Sequence, residues 1–205
     1  MSAPLFGDDI LYLQRFLKCC GLYTGPLDAE FSTEVGDAED ALAASYEAIK
    51  QQLGSFDARS EARIMTLQPN AQRKVREFLA AAQALPFTYK ILSGTRTYSE
   101  QDELFAKGRT APGPKVTNAA GGESNHNFGI AWDVGIFSGG KYLTGANAAE
   151  NQAYIDLGNH ILANVAGLEW DGNWQGFVDR PHYQLDTGQR VAMVRQRFEN
   201  GTAFA

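Results

Sequence analysis

Residues 124–137 read SNHNFGIAWDVGIF, and the second half of this stretch decides the fold. From Ile130 to Phe137 the chain alternates: Trp132, Val134 and Ile136 fall on one face, Asp133, Gly135 and Phe137 on the other. A period of two with one apolar set is the pattern of a strand half-sunk in a core. The opposite face presents the Asp133 carboxylate with little bulk beside it, a suitable place for a metal ligand. His126 stands seven positions upstream, in a polar, Gly-rich setting.

Outward from this strand, the spacing predicts helices joined by loops and short strands. A first helix runs from about Asp8 to Gly21, with Ile10, Leu13, Phe16 and Leu17 at helical spacing, Asp8 or Asp9 as its cap and Gly21 as its stop. Thr33 to Leu53 reads as a longer Ala- and Glu-rich helix, followed by a short piece from Ala58 to Leu67. Pro69 opens a helix through Ala84 whose buried side carries Val75, Phe78 and Leu79. Residues 88–93 (TYKILS) are β-like, and Ser99 with Asp102 three positions on predicts a capped helix to Lys107. Gly108 to Asn125 is loop, 151–165 helix and 182–185 strand. Helices mixed with short strands and long loops predict an α+β fold: a small antiparallel sheet with flanking helices, and an N-terminal helical module. The division expected is 1–60 for that module and 61–205 for the domain carrying the site.

Composition narrows the function classes. The 205 residues are 44% hydrophobic and 20% charged, a globular balance. A formal charge of -6 without any basic run excludes nucleic acid as a natural partner. The opening MSAPLFGDDILYLQ has no positive n-region and no long apolar stretch, so neither a secretory leader nor a membrane span is expected. Adjacent Cys19 and Cys20 do not make a disulfide framework. The expectation is a monomer made in the cytoplasm.

Three histidines exist: His126, His160 and His182. An isolated histidine is most often a satisfied polar residue, and His160, inside the helical text YIDLGNHIL, is read that way. His126 and His182 lie near carboxylates: Asp133 follows the first by seven positions, and Asp179 precedes the second by three. Two neutral imidazoles and one carboxylate form a three-ligand zinc site with one position left for water, whose pKa the metal lowers towards about 7. An unligated carboxylate must then move the proton, and Asp179 is the candidate.

SNHNFGIAWD is similar to the S-x-H-x-x-G-x-A-x-D signature of the zinc D-Ala-D-Ala peptidases and L-alanyl-D-glutamate endopeptidases, which include phage endolysins. Ser124, His126, Gly129, Ala131 and Asp133 match. Downstream, DRPHYQL resembles the family's (D/E)-x-x-H element, and upstream SGTRTYSEQDELFAKGRT resembles the segment that supplies an Arg and a Gln to the cleft. The resemblance spans about Leu67 to Leu185. It implies zinc on His126, Asp133 and His182, Asp179 as general base, and Arg96 neutralising an oxyanion or a substrate carboxylate. Gln101 and Ser124 become substrate contacts, and Glu123 a solvated loop residue. In EWDGNWQGF, Trp170 reads as core and Trp174 as cleft wall, with Asp171 standing where the similar W-G-G-x-W stretch has a glycine.

The N-terminal text LQRFLKCCGLYTGPLDAEFS resembles a small peptidoglycan-binding module through Gln14, Leu17, Gly21, Tyr23, Gly25, Asp28 and Phe31, with Ala29 and Ser32 replacing two glycines. A helical appendage that binds nothing is the plain alternative. The resemblance implies a hydrolase of peptidoglycan stem peptides, with the L-Ala–D-Glu bond as target. A D-Ala-D-Ala carboxypeptidase or dipeptidase is the nearest alternative. A non-catalytic wall-binding protein and a structural zinc protein belong to other classes. A leaderless wall hydrolase further implies release by a holin, as for an endolysin.

Overall fold

The computed structural model describes residues 7–176 and 178–204; Asp8 and Asp9, read as the cap of the first helix, lie instead within its first turn, where their charge favours the helix N-terminus. Twelve regular elements follow in order: α1 (Gly7–Cys19), α2 (Thr33–Leu53), α3 (Ala58–Ile64), α4 (Pro69–Ala82), β1 (Thr88–Ser93), α5 (Tyr98–Ala106), β2 (Ala131–Ser138), β3 (Lys141–Leu143), α6 (Ala148–Asn164), β4 (Leu168–Trp170), β5 (His182–Leu185) and α7 (Val191–Glu199). This is the α+β architecture the sequence predicts. Two compact units divide the chain, one of Met1–Ala48, Arg96–Phe128 and Thr187–Ala205, the other of Ile49–Thr95 and Gly129–Asp186.

The second unit holds the sheet. Its strands run in the order β1-β2-β5-β4, with β3 also paired to β2, and every pairing is antiparallel. The apolar face of β2 is fully buried at Trp132, Val134 and Ile136. α4 packs below with a stripe of Ala71, Val75, Phe78, Leu79 and Ala82 at the i, i+4, i+7, i+8, i+11 spacing of a helix face. Phe78 meets Tyr183 edge-on at 4.7 Å and Trp132 at 6.2 Å, tying α4 to β5 and β2. Arg76, wholly buried, is held by both oxygens of Glu61 (2.9 and 2.7 Å) and by the Gly54 carbonyl. His160 is structural here, its ring nitrogen 3.1 Å from the Ala81 carbonyl.

The other unit packs α1 against α7 and gathers Tyr12, Phe16, Tyr98, Phe128 and Phe198 into one aromatic cluster. Leu17, Tyr23, Val35 and Ala38 form a second buried group. The residues that matched the wall-binding module hold its loop: Gln14 donates to Asp28 (2.7 Å), and the Tyr23 hydroxyl donates to the Pro26 carbonyl (2.8 Å). A Cβ at Gly25 would lie 2.5 Å from the Tyr23 hydroxyl and 2.6 Å from its ring, so the close approach of this side chain favours glycine.

Four elements differ from the sequence reading. α5 is capped by Thr97, not Ser99: the Thr97 hydroxyl accepts from the Glu100 N–H and the Glu100 carboxylate accepts from the Thr97 N–H. Both TYSE and SEQD fit the capping pattern, but the longer Glu reaches back where Asp does not. Asp102 instead accepts from the Gly121 N–H at 2.7 Å. β3, β4 and α7 are not anticipated, because three-residue strands give no readable period and the α7 text lacks an entry cap.

Ala29 has a φ of 61°, the one non-glycine among the described residues with positive φ. It occupies a position where the wall-binding module carries glycine. The left-handed conformation costs an L-residue about 1–2 kcal/mol, partly offset by the extra freedom glycine has in the unfolded chain. Ala29→Gly is therefore expected to stabilise the protein by about 0.5–1 kcal/mol, read as a higher urea midpoint at unchanged m value. An equal or lower midpoint would contradict the strain.

Candidate metal centre

His126 sits in a single 3-10 turn, Asn125–Phe128, entirely buried. Its neighbour Asn127 fastens that turn. The Asn127 amide donates to the carbonyls of Arg96 (3.0 Å) and Thr97 (3.2 Å), and its side-chain oxygen accepts from the Gly122 N–H (3.0 Å). The Arg96 N–H donates to the His126 carbonyl (3.1 Å), and the Tyr12 hydroxyl to the Asn127 carbonyl (2.8 Å). Gly129, at φ 70°, turns the chain out of this knot into β2, which accounts physically for the glycine of the signature. The sequence reading passed over Asn127. Its signal was available: a side chain with donors and acceptor beside a ligand, among glycines whose backbone needs partners.

Asp133 and His182 come together through sheet register. β2 and β5 pair Ala131 with Gln184, Trp132 with Tyr183 and Asp133 with His182. Directly opposed residues share a face, so the alternation that buries Trp132 and Tyr183 also aims Asp133 and His182 together. Their side chains meet at 3.2 Å, His182 Nδ1 to Asp133 Oδ1. On the other side of β2 the pairing with β1 shifts register between Ile91 and Ser93, a bulge beside Asp133. His126, Asp133 and His182 each offer a ligand atom, and these atoms lie within 4.8 Å of one another.

Asp179 occupies a turn whose backbone is tied on both sides: its N–H donates to the Asp171 carbonyl and its carbonyl accepts from the His182 N–H, both 3.3 Å. Arg96 lies in the β1–α5 connection, half-buried, with its backbone tied to the 3-10 turn. Gln101 is fully buried and donates to the Ala119 carbonyl (2.8 Å) and the Thr117 hydroxyl (3.3 Å), holding the 108–125 loop. Ser124 is half-buried and its carbonyl accepts from Asn127. Glu123 is exposed and accepts from the Ala120 N–H within its own loop. Trp170 is buried, stacked on Tyr183, with its indole N–H on the Arg180 carbonyl (2.8 Å), whereas Trp174 is 41% exposed.

The electrostatics are those of a cation site. Burial alone would lower the His182 pKa, but the hydrogen bond to Asp133 and the charges of Asp133, Asp171 and Asp179 outweigh it and raise it to about 9. Asp171 is pushed up to about 7 by burial, and by its neighbours Asp179, Glu169 and Asp133 against the opposing pull of His182. Carboxylates in excess around one buried imidazole repel one another, and a divalent ion would relieve that. The donor set fits zinc: two imidazoles, one carboxylate and no sulfur. Both cysteines lie on or just past α1, and burial pushes the Cys19 thiol up to about 12 and Cys20 higher still, so neither is a ready thiolate.

An antiparallel sheet carrying a His/Asp/His cluster of this kind is a candidate metal centre of the metallopeptidase type. The chain belongs to the VanY family of D-alanyl-D-alanine carboxypeptidases, whose profile matches residues 64–170. That match ends before Asp179 and His182. Among curated proteins the chain is 34% identical over 124 residues to the peptidoglycan L-alanyl-D-glutamate endopeptidase CwlK of Bacillus subtilis (strain 168), covering 58% of this chain and 73% of the relative. Among solved structures it resembles the Serratia marcescens L-Ala D-Glu endopeptidase ChiX, with a TM-score of 0.46, 23% identity, and coverage of 63% of this chain and 88% of the other. No helix of the described residues is long and apolar enough to cross a membrane.

Proposed function

We propose that the protein is a zinc-dependent hydrolase of peptidoglycan stem peptides that cuts the L-Ala–D-Glu amide and so lyses the wall, in the manner of an endolysin. The observation that carries this reading is the convergence of His126, Asp133 and His182, with Asp179 held in a turn three residues before the last of them. His126, Asp133 and His182 hold the ion, which when bound supplies Lewis acidity towards the scissile carbonyl and water. Asp179 takes the proton of the attacking water and passes it to the leaving amine as the C–N bond breaks. Its charge already acts on His182 and Asp171, which supports placing the carboxylate beside the reacting atoms. Arg96 offers a fixed guanidinium fork to the carbonyl oxygen or to the free α-carboxylate of D-Glu. Ser124 and Trp174 contact the stem, and Gln101 shapes its path by holding residues 117–119.

The endopeptidase reading draws on the similarity to CwlK, and the family description favours D-Ala–D-Ala carboxypeptidase activity as the second reading. Asp179→Asn is expected to keep one zinc per chain by elemental analysis while losing on the order of 10²–10⁴-fold in turnover of purified sacculi. His182→Ala should lose the zinc. A variant at Asp179 that digests at wild-type speed would move the base elsewhere. Mass spectrometry of the digest separates the two bonds: peptides beginning with D-Glu support the endopeptidase, and loss of one D-Ala per stem supports the carboxypeptidase.

Residues 1–60 are proposed to add affinity for the wall. Phe31, 52% exposed in the stretch that resembles a wall-binding module, offers an aromatic face for that contact. Phe31→Ala should lower the fraction of protein that pellets with sacculi and leave cleavage of a soluble stem peptide unchanged. Unaltered pelleting would favour a packing appendage.

A further inference from the structure

The face of the sheet that carries Asp133 and His182 carries more than the ligands. Along β5, His182 and Gln184 point the same way while Tyr183 turns into the core. β4 and β5 pair Glu169 directly with Gln184, so a carboxylate, an amide and an imidazole lie in a row on one face. The Gln184 amide nitrogen is 2.6 Å from Glu169 Oε2, and its oxygen is 3.2 Å from His182 Nε2. That carboxylate oxygen accepts from the amide nitrogen, so Glu169 fixes which end of the amide faces it. The other end, an oxygen, then faces Nε2 and can only accept. His182 must therefore carry a proton on Nε2. Gln184 is 5% exposed and His182 8%, so water does not replace these contacts freely. Asp171, two residues beyond Glu169 and 5% exposed, sets a carboxylate oxygen 3.6 Å from the same Nε2 and reinforces the demand for an N–H there.

In the neutral ring that a metal needs, a proton kept on Nε2 leaves the lone pair on Nδ1. It faces Asp133 Oδ1 at 3.2 Å, close to the ~3.3 Å that separates two ligand atoms on a tetrahedral zinc with metal–ligand distances of about 2.0–2.1 Å. We propose that Glu169 and Gln184 are positioning residues for the metal centre: they hold His182 in the tautomer and ring orientation that present Nδ1, together with the Asp133 carboxylate, to the ion. Outer partners of this kind set ligand orientation and basicity, and their loss typically weakens metal affinity by about 10–100-fold. The inference rests on the proposed zinc ligation by His182. Glu169 and Gln184 act through His182.

Zinc affinity, measured by competition with a chromophoric chelator, tests the relay apart from turnover. Gln184→Met, which keeps the volume and removes the acceptor, should raise the zinc Kd by about 10–100-fold. Exchanging the partners, Glu169→Gln with Gln184→Glu, keeps a donor facing an acceptor and an acceptor facing Nε2, and should return the Kd towards the wild-type value. In the zinc-loaded wild type, ¹⁵N spectra of the His182 ring, identified by its disappearance in His182→Ala, should show a slowly exchanging proton on Nε2 and none on Nδ1. A proton found on Nδ1, or a Kd for Gln184→Met within about twofold of wild type, overturns the relay while the metal assignment stands. Wild-type protein that takes up no zinc overturns both.

Discussion

The register of one strand pair governs the site. β2 and β5 meet so that Asp133 stands opposite His182 and Trp132 opposite Tyr183. Because side chains alternate, a slip of β5 by one residue would turn the His182 imidazole into the core and Tyr183 out of it, away from Asp133 and Trp132. The register is held by what lies beneath. Phe78 wedges between Trp132 and Tyr183, and Trp170 stacks on Tyr183 from β4. Packing on the apolar face thus positions chemistry on the polar one, and a core substitution there would reach the site without touching it.

The polar face is an unusual place to leave unneutralised charge. Asp133, Asp171, Asp179 and Glu169 all act on the neighbourhood of one buried imidazole, and Asp171, through its burial first and these charges second, holds its proton to about pH 7. Partly buried carboxylates crowded round a buried one destabilise a fold unless something offsets their repulsion. A bound divalent ion would do so, and the energy of binding would then become energy of folding, since the unfolded chain offers no such cluster. The proton that His182 keeps to about pH 9 must leave before an ion can use Nδ1. Metal and proton therefore compete for this side chain.

Much of this was legible in the sequence. Alternation at 130–137 is unambiguous because large apolar residues fall on one face only, and residues 88–93 and 182–185 are strands as read. The candidate ligands stood out through their spacing and through resemblance to a zinc peptidase family. What escaped the reading needs the third dimension. Glu169 and Gln184 are fifteen residues apart in sequence and adjacent only once β4 exists, a three-residue strand with no period to detect. Asp171 read merely as a lost glycine, and its approach to His182 depends on the 3-10 turn that follows β4. Asn127 was visible as text, but the carbonyls it serves at Arg96 and Thr97 come from a distant loop. The capping of α5 was misplaced by two residues because two overlapping patterns competed and side-chain length chose between them.

Zinc K-edge X-ray absorption on the purified, zinc-loaded protein addresses the ligand set most directly. Ligation by His126, Asp133 and His182 predicts a shell of nitrogen and oxygen at about 2.0–2.1 Å with the outer-shell scattering of two imidazole rings. A sulfur shell at about 2.3 Å, or scattering from fewer than two imidazoles, would contradict it.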